Sequence, residues 1–149
     1  MKSLILSAAL ILTLSGTAFA GTVDPTNEKV MKTFTQIFKD AGNVSWSNAG
    51  NYFEAHFILD DIRTRATLDA KGNLVQTIRY FKEDQLPSNV LYHIKKTYQG
   101  KDVFGVTEVS NRNGVNYRVV LKDEKNYIHI NANSYGESQL VKKFKRGDK

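Results

Sequence analysis

The chain has 149 residues, a formal net charge of +6 and no cysteine. The absence of cysteine excludes disulfides, thiolate metal sites and thiol redox chemistry, so the fold has to be stabilised by burial of apolar side chains. The surplus of basic residues favours solubility and is compatible with acidic or anionic partners in a cell envelope.

The first twenty residues have the three parts of a secretory signal peptide. Lys2 supplies the positive start, an apolar run extends over residues 4–14, and Ala-Phe-Ala at 18–20 places small residues where signal peptidase cleaves. The apolar run is shorter than the ~20 residues that cross a bilayer. The sequence therefore predicts cleavage before Gly21. It also predicts a mature domain, residues 21–149, that is periplasmic or secreted and lacks both a transmembrane segment and a lipidation cysteine.

The first predicted element of the mature chain is an amphipathic helix. Its apolar stripe recurs at helical spacing and consists of Val30, Phe34, Ile37, Phe38 and Ala41. Four strands are predicted to follow, around 44–46 and at 52–59, 62–69 and 74–81. Trp46, the only tryptophan, is expected to pack with Val44 against this helix, with ligand stacking as the alternative.

The second half of the chain has the same order of elements. A helix is predicted to begin at Leu86-Pro87-Ser88, where proline suits the first turn, and to end at Gly100. Its stripe consists of Val90, Leu91, Ile94 and Tyr98. Strands are predicted at about 103–110, 115–122, 126–133 and 137–144.

An internal repeat is predicted from this parallel. Residues 50–72 align with residues 114–136 without a gap, and glycine occupies both ends of each segment. The predicted repeats are 26–82 and 86–145. The predicted fold class is therefore α+β, with two tandem units of one helix and a four-stranded antiparallel meander, and with the helices packed on one face of the sheet. The opposite face is expected to meet water or a partner.

The side chains expected between helices and sheet follow from the same periodicities, 3.6 residues in helices and two in strands. The predicted core consists of Phe34, Phe38, Phe53, Phe57, Ile94, Tyr117, Leu121 and Ile130.

Several short motifs occur in a characteristic order: V-x-W, Y-F-E-A-x-F, D-A-x-G, L-P-x-x-V, Y-x-G and Y-x-V-x-L. They lie at Val44 and Trp46, 52–57, 69–72, 86–90, Tyr98 and Gly100, and 117–121. This string resembles the PepSY-like, beta-lactamase-inhibitor-like family of exported proteins of Bacteroidetes-type bacteria. The resemblance implies a tandem PepSY-like fold, in which residues 21–149 form a single domain made of two repeats, and an envelope location. The family is named for its likeness to a secreted inhibitor that clamps an enzyme with the concave face of its sheet.

Residues that could carry chemistry are few, and no catalytic, cofactor-binding or metal-binding residue is predicted. His56 and His129 lie in strands of different repeats and are expected to face solvent. A metal pair or acid–base site that includes Glu54 is the alternative. Asp60-Asp61 and Asp123-Glu124 are predicted to be hairpin turns rather than calcium loops, because the alternating oxygen ligands of such loops are missing.

The predicted outward face carries aromatic and arginine side chains, the types that dominate binding hot spots. The alternative is that cross-strand pairs among them merely stabilise the sheet. The candidate partner-binding residues are Tyr52, Glu54, His56, Arg63, Arg65, Arg118, Tyr127 and His129.

These observations favour an exported binding or inhibitory module that engages a protein or peptide of the envelope through an open sheet face. The alternative is a small-molecule carrier or sensor with a pocket between helices and sheet. An enzyme, a cofactor and a nucleic-acid partner are not predicted, and the oligomeric state is left open.

Overall fold

The computed structural model describes residues 27–147, so the predicted signal peptide and its cleavage site lie outside the described residues. The first half contains α1 (Glu28–Ile37), β1 (Gly42–Ala49), β2 (Tyr52–Leu59), β3 (Ile62–Asp69) and β4 (Leu74–Phe81). A short 3-10 turn (Glu83–Gln85) leads to the second half, which contains α2 (Ser88–Thr97), β5 (Asp102–Asn111), β6 (Gly114–Lys122), β7 (Asn126–Asn133) and β8 (Ser138–Lys145). Within this described part, neither α1 nor α2 is long and apolar enough to cross a membrane.

All eight strands form one antiparallel sheet in the order β1 to β8. The prediction of two tandem helix-plus-four-strand units was therefore wrong, because β4 pairs directly with β5. This pairing runs over six residue pairs, from Gln76 opposite Asn111 to Phe81 opposite Val106. A separate four-stranded unit would leave the backbone groups of β4 and β5 exposed as sheet edges, and pairing them removes both edges.

The first helix packs on the sheet through aromatic rings. The side chain of Asn27 caps α1 by accepting hydrogen bonds from the backbone nitrogens of Lys29 and Val30. One turn further on, the Phe34 ring lies 4.9 Å from Trp46 and 5.2 Å from Phe57, centre to centre. Trp46 is buried in this cluster, as expected from packing against the helix, whereas Val44, which was expected to pack with it, is 39% exposed.

The second helix packs on the other half of the sheet with aliphatic side chains. Val90 and Ile94 of α2 are fully buried against Leu121 and Ile130. Of the predicted core residues, seven are buried and confirmed: Phe34, Phe38, Phe57, Ile94, Tyr117, Leu121 and Ile130. The eighth, Phe53, is half-buried at the edge of the first cluster.

Each helix is attached to a hairpin turn of the sheet. The Asn27 side chain donates to the carbonyl of Ala70 at 2.9 Å, and Asn89 donates to that of Ser134 at 3.0 Å. Gly72 in the first of these turns has a φ of +85° and lies so close to α1 that a Cβ atom would be 2.8 Å from the Lys29 carbonyl oxygen. These contacts hold both helices on the same side of the sheet.

A charged pair occupies the same side of the sheet at the β4–β5 junction, between the two apolar clusters. Arg79 donates to Glu108 at 3.3 Å, and the arginine also lies over the Phe81 ring. Beside this pair, burial raises the pKa of the Tyr117 hydroxyl above its usual value, and the Glu108 charge adds to the effect.

Candidate functional site: the open sheet face

The sheet face turned away from α1 and α2 is called the open face. Strand alternation and register determine its members, because residues paired across strands point to the same side. Arg65 is paired with His56 on β2 and with Ile78 on β4, and the register continues in the same way to β7. The central residues of the open face are Glu54, His56, Ile58, Arg63, Arg65, Ile78, Tyr80, Thr107, Val109, Arg118, Val120, Tyr127 and His129.

Four of the predicted site residues lie together on β2 and β3. The Glu54 carboxylate is 3.8 Å from Arg65 Nε and 3.7 Å from His56 Nε2, and it accepts a hydrogen bond from Thr67 Oγ1 at 3.4 Å. Arg63 is exposed one pair further along the strand. These contacts fit the alternative of cross-strand stabilisation for Glu54, His56 and Arg65, and they leave Arg63 outside the network.

Three further predicted residues lie together on β6 and β7, at the other side of the sheet. Arg118 is opposite Asn131, and His129 is opposite Val120. The rings of Tyr127 and His129 each contact another aromatic ring at 5.3 and 5.0 Å, centre to centre, and these partners are Phe104 and Phe144. Basic side chains lie over the same rings: Lys82 and Lys122 over Phe104, and Lys142 over Phe144. Together these side chains form an aromatic and basic strip.

Tyr52 is exposed at the end of β2 next to the β1–β2 turn, opposite Asp69. It therefore lies apart from both groups.

His56 and His129 are not brought together in the fold. His56 is on β2 and His129 is on β7, five strand spacings or about 24 Å apart along the sheet. Within residues 27–147, no group of three or more histidine, aspartate or glutamate side chains could hold a metal ion. The alternative of a shared metal or acid–base site is therefore not supported.

The carboxylate of Asp123 is occupied by its own hairpin turn. It accepts hydrogen bonds from Lys101 Nζ at 2.8 Å and from the backbone nitrogens of Lys125 and Asn126 at 2.8 and 2.7 Å. The lysine contact comes first among the causes that hold the pKa of Asp123 well below its usual value. This residue acts as a turn anchor, as the sequence predicted.

Three aromatic residues of the open face were missed by the sequence analysis. Tyr80, Phe104 and Phe144 are 41%, 45% and 39% exposed. Tyr80 could have been found, because alternation from the buried Phe81 places it outward. Phe104 lies in a bulge between Val103 and Gly105 that directs it to the open face; a glycine inside a strand is the available signal.

A cavity of about 450 Å³ opens on the β1–β4 part of the open face. Arg63 and Arg65 line it, with Tyr80 on one side and His56 and Ser45 on the other. The Arg63 guanidinium carbon lies 5.9 Å from the centre of the Tyr80 ring. The Nε atom of Arg65 is buried and has no hydrogen-bond partner in the described part of the chain.

The space between helices and sheet, by contrast, is filled. Val30, Val90 and Ile94 have no exposed surface, and the tilted rings of Phe38 and Phe57 contact each other at 4.8 Å, centre to centre. This packing does not favour the alternative of a ligand pocket behind the helices.

The fold is similar to that of a BLIP-like protein from Bacteroides fragilis, with a TM-score of 0.64 and 18% sequence identity over 85% of this chain and 92% of that one. It is also similar to DUF2874 family proteins from Bacteroides ovatus and Bacteroides uniformis. These have TM-scores of 0.64 and 0.63, each at 20% identity, covering 85% and 83% of this chain and 92% and 90% of theirs. The resemblance to beta-lactamase-inhibitor-like proteins of such bacteria is thereby confirmed for the fold. No protein-family model and no curated protein sequence matches the chain.

Proposed function

We propose that the chain is an exported binding module that engages a protein or peptide through the open face. The observation that carries this proposal is the continuity of that face across eight paired strands. Strands of about eight residues in eight rows cover roughly 34 Å by 26 Å, or about 900 Å². A stable protein interface needs about 800 Å² from each partner, which one four-stranded unit would not provide.

The composition of the open face supports binding rather than passive solvation. Exposed Tyr80, Phe104 and Phe144 accompany the arginines Arg63 and Arg118. Aromatic and arginine side chains are enriched in interface hot spots because they bury a large area and retain directed hydrogen bonds. The helices cover only the opposite side, so these side chains are available to a partner.

The signal peptide predicted from the sequence supports export. The fold supports the same role by analogy, since the resemblance is to proteins named after an inhibitor that grips its target with the sheet. Likeness of fold supports a binding role only as a class of function. For this chain, the proposal rests on the residues of the open face.

Charge reversal on the open face tests the proposal. The mature chain, residues 21–149, is immobilised and exposed to envelope extract of the source organism. The double variant Arg63→Glu and Arg118→Glu should lose a partner that the unmodified chain retains. The matched control is Lys32→Glu with Lys39→Glu, which changes the charge equally on the helix side and should retain the partner.

Circular dichroism establishes that both double variants are folded. Equal retention by the open-face variant and the unmodified chain would contradict the proposal. Loss in the helix-side control alone would move the binding surface to the helices.

A further inference from the structure

The cavity on the β1–β4 part of the open face combines two arginines with few charges to neutralise them. Arg63 and Arg65 are two residues apart on β3, so their side chains project to the same side. The name arginine pocket is used here for the cavity lined by Ser45, His56, Ile58, Arg63, Arg65 and Tyr80.

Among residues 27–147, Glu54 is the one carboxylate within 4.0 Å of either guanidinium group. Glu54 is 3.8 Å from Arg65 Nε, which is too far for a hydrogen bond, and it is shared with His56 and Thr67. Arg63 has no carboxylate within 4.0 Å in residues 27–147, although Asp60 and Asp61 lie in the adjoining turn. The pocket therefore retains positive charge that its own side chains leave unbalanced.

The hydrogen bonding of the pocket is also incomplete. The Arg65 N–H at Nε is buried without an acceptor among the described residues. A buried donor without a partner carries a free-energy cost, which an acceptor supplied from outside would remove. Other polar groups that line the cavity, among them the hydroxyls of Ser45 and Tyr80 and the His56 ring, can also donate to such an acceptor.

We propose that the arginine pocket binds the carboxylate of a glutamate or aspartate side chain that belongs to the protein or peptide partner. This inference rests on the proposed function and names the chemistry of the partner. A planar carboxylate accepts two parallel hydrogen bonds from a guanidinium group. The methylene part of the partner's glutamate or aspartate side chain would lie against Ile58 and the Tyr80 ring. A singly charged carboxylate suits the site better than a dianionic phosphate, because Glu54 repels the second charge.

Peptide titration with nuclear magnetic resonance detection tests the inference on the mature chain. The probe is an acetylated and amidated hexapeptide of alternating glutamate and threonine, and the matched control peptide has glutamine in place of glutamate. The Nε–Hε signals of Arg63 and Arg65 should shift with the glutamate peptide and remain unchanged with the glutamine peptide. Arg112, exposed in the β5–β6 turn and outside the pocket, is the internal control and should shift little.

Variants assign the binding to the pocket. Arg63→Gln should weaken the glutamate peptide roughly tenfold, because one charge-assisted bidentate contact is lost. Arg112→Gln, in the β5–β6 turn and outside the pocket, should change the affinity less than twofold. Arg65→Gln should act like Arg63→Gln if it folds, and Arg63→Gln, which breaks no ion pair among residues 27–147, provides the test if it does not.

Three outcomes would overturn the inference. They are equal binding of the glutamine peptide, equal weakening by Arg63→Gln and Arg112→Gln, or tighter binding of a phosphoserine peptide than of the glutamate peptide. If partner capture still depends on the open face in any of these cases, only the carboxylate assignment fails. If capture is also independent of that face, the proposed function fails with it.

Discussion

At the scale of single residues, Phe57 connects strand β2 to the first helix. Its ring lies 5.2 Å from Phe34 and 4.8 Å from Phe38, centre to centre, and it is buried. Replacement by alanine removes these contacts and leaves a cavity, so Phe57→Ala should lower the free energy of unfolding by about 3–5 kcal/mol. Urea denaturation measures the change.

The neighbouring residue provides the control for this prediction. Ile58 is on the open face and 37% exposed, so Ile58→Ala should cost less than about 1.5 kcal/mol. Similar losses in the two variants would show that the faces of β2 are assigned wrongly, because adjacent strand residues point to opposite sides.

Asp123 makes the free energy of unfolding depend on pH in the acidic range. Its hydrogen bonds to Lys101, Lys125 and Asn126 favour the ionised carboxylate, so its folded-state pKa lies below the ordinary value of 3.8. The resulting stabilisation is present above the unfolded-state pKa and is lost as the pH falls from about 4 towards the folded-state pKa. Asp123→Asn should therefore be less stable at pH 7, with a shallower loss of stability below pH 4.

Thermal melts between pH 7 and pH 2 measure this effect. Glu124→Gln is the matched control in the same turn, since the Glu124 side chain makes no hydrogen bond or ion pair in the part of the chain described. An Asp123→Asn melting profile parallel to that of the unmodified chain would contradict the assignment. Asp69, whose pKa is also lowered, chiefly by hydrogen bonds from Asn73, contributes in the same pH range and should retain part of the slope.

At the scale of elements, the position of α1 depends on its contact with the β3–β4 turn. Gly72 has a left-handed φ, and an added Cβ would lie 2.8 Å from the Lys29 carbonyl oxygen. Gly72→Ala therefore combines backbone strain with a clash against the helix, and should lower the free energy of unfolding by about 2–4 kcal/mol.

A substitution at Gly50 separates the cost of backbone strain from the cost of the clash with α1. Its φ is +63°, but a Cβ atom there would meet nothing within 4 Å. Gly50→Ala should cost only the strain, about 1–2 kcal/mol. Chemical denaturation of both variants gives the difference, which measures the helix contact. Equal costs would mean that α1 is not held close to this turn.

The charge pair Arg79–Glu108 joins strands from the two halves, and no pattern within either strand identifies the other as its neighbour. The bulge at Phe104 is a second feature of this kind, since it changes which face a side chain reaches. Alternation within one strand predicts faces well, but it does not show which strands become neighbours.

At the scale of the whole molecule, the continuous sheet should make the two apolar clusters unfold together. Trp46 belongs to the first cluster and Leu121 to the second. Leu121→Ala should lower the free energy of unfolding by about 2–5 kcal/mol. Because β4 and β5 are paired, the denaturation midpoint reported by Trp46 fluorescence should shift as far as the midpoint reported by circular dichroism.

A Trp46 midpoint that stays unchanged in Leu121→Ala would show that the halves unfold independently. Val141→Ala is the control, since Val141 is exposed on the edge strand β8 and outside both clusters. It should leave both midpoints nearly unchanged.

Only part of the candidate site on the open face could be predicted from the sequence. His56, Arg63 and Arg65 could be placed on one face because charged and apolar residues alternate along β2 and β3. Tyr80 and Ser45, which complete the arginine pocket, come from β4 and β1, where the pattern is less regular. The internal repeat of 26–82 and 86–145 remains a prediction.

The sequence by itself determined where the helices and strands lie and which side chains enter the core, because these properties depend on local periodicity. The pairing of β4 with β5 was decided only by the tertiary structure. These strands are separated by the 3-10 turn and α2, and hydrogen bonding between backbones has no residue code that identifies the partner strand. The continuous open face and the arginine pocket both depend on neighbouring strands in space, so they became visible only once the register of the sheet was known.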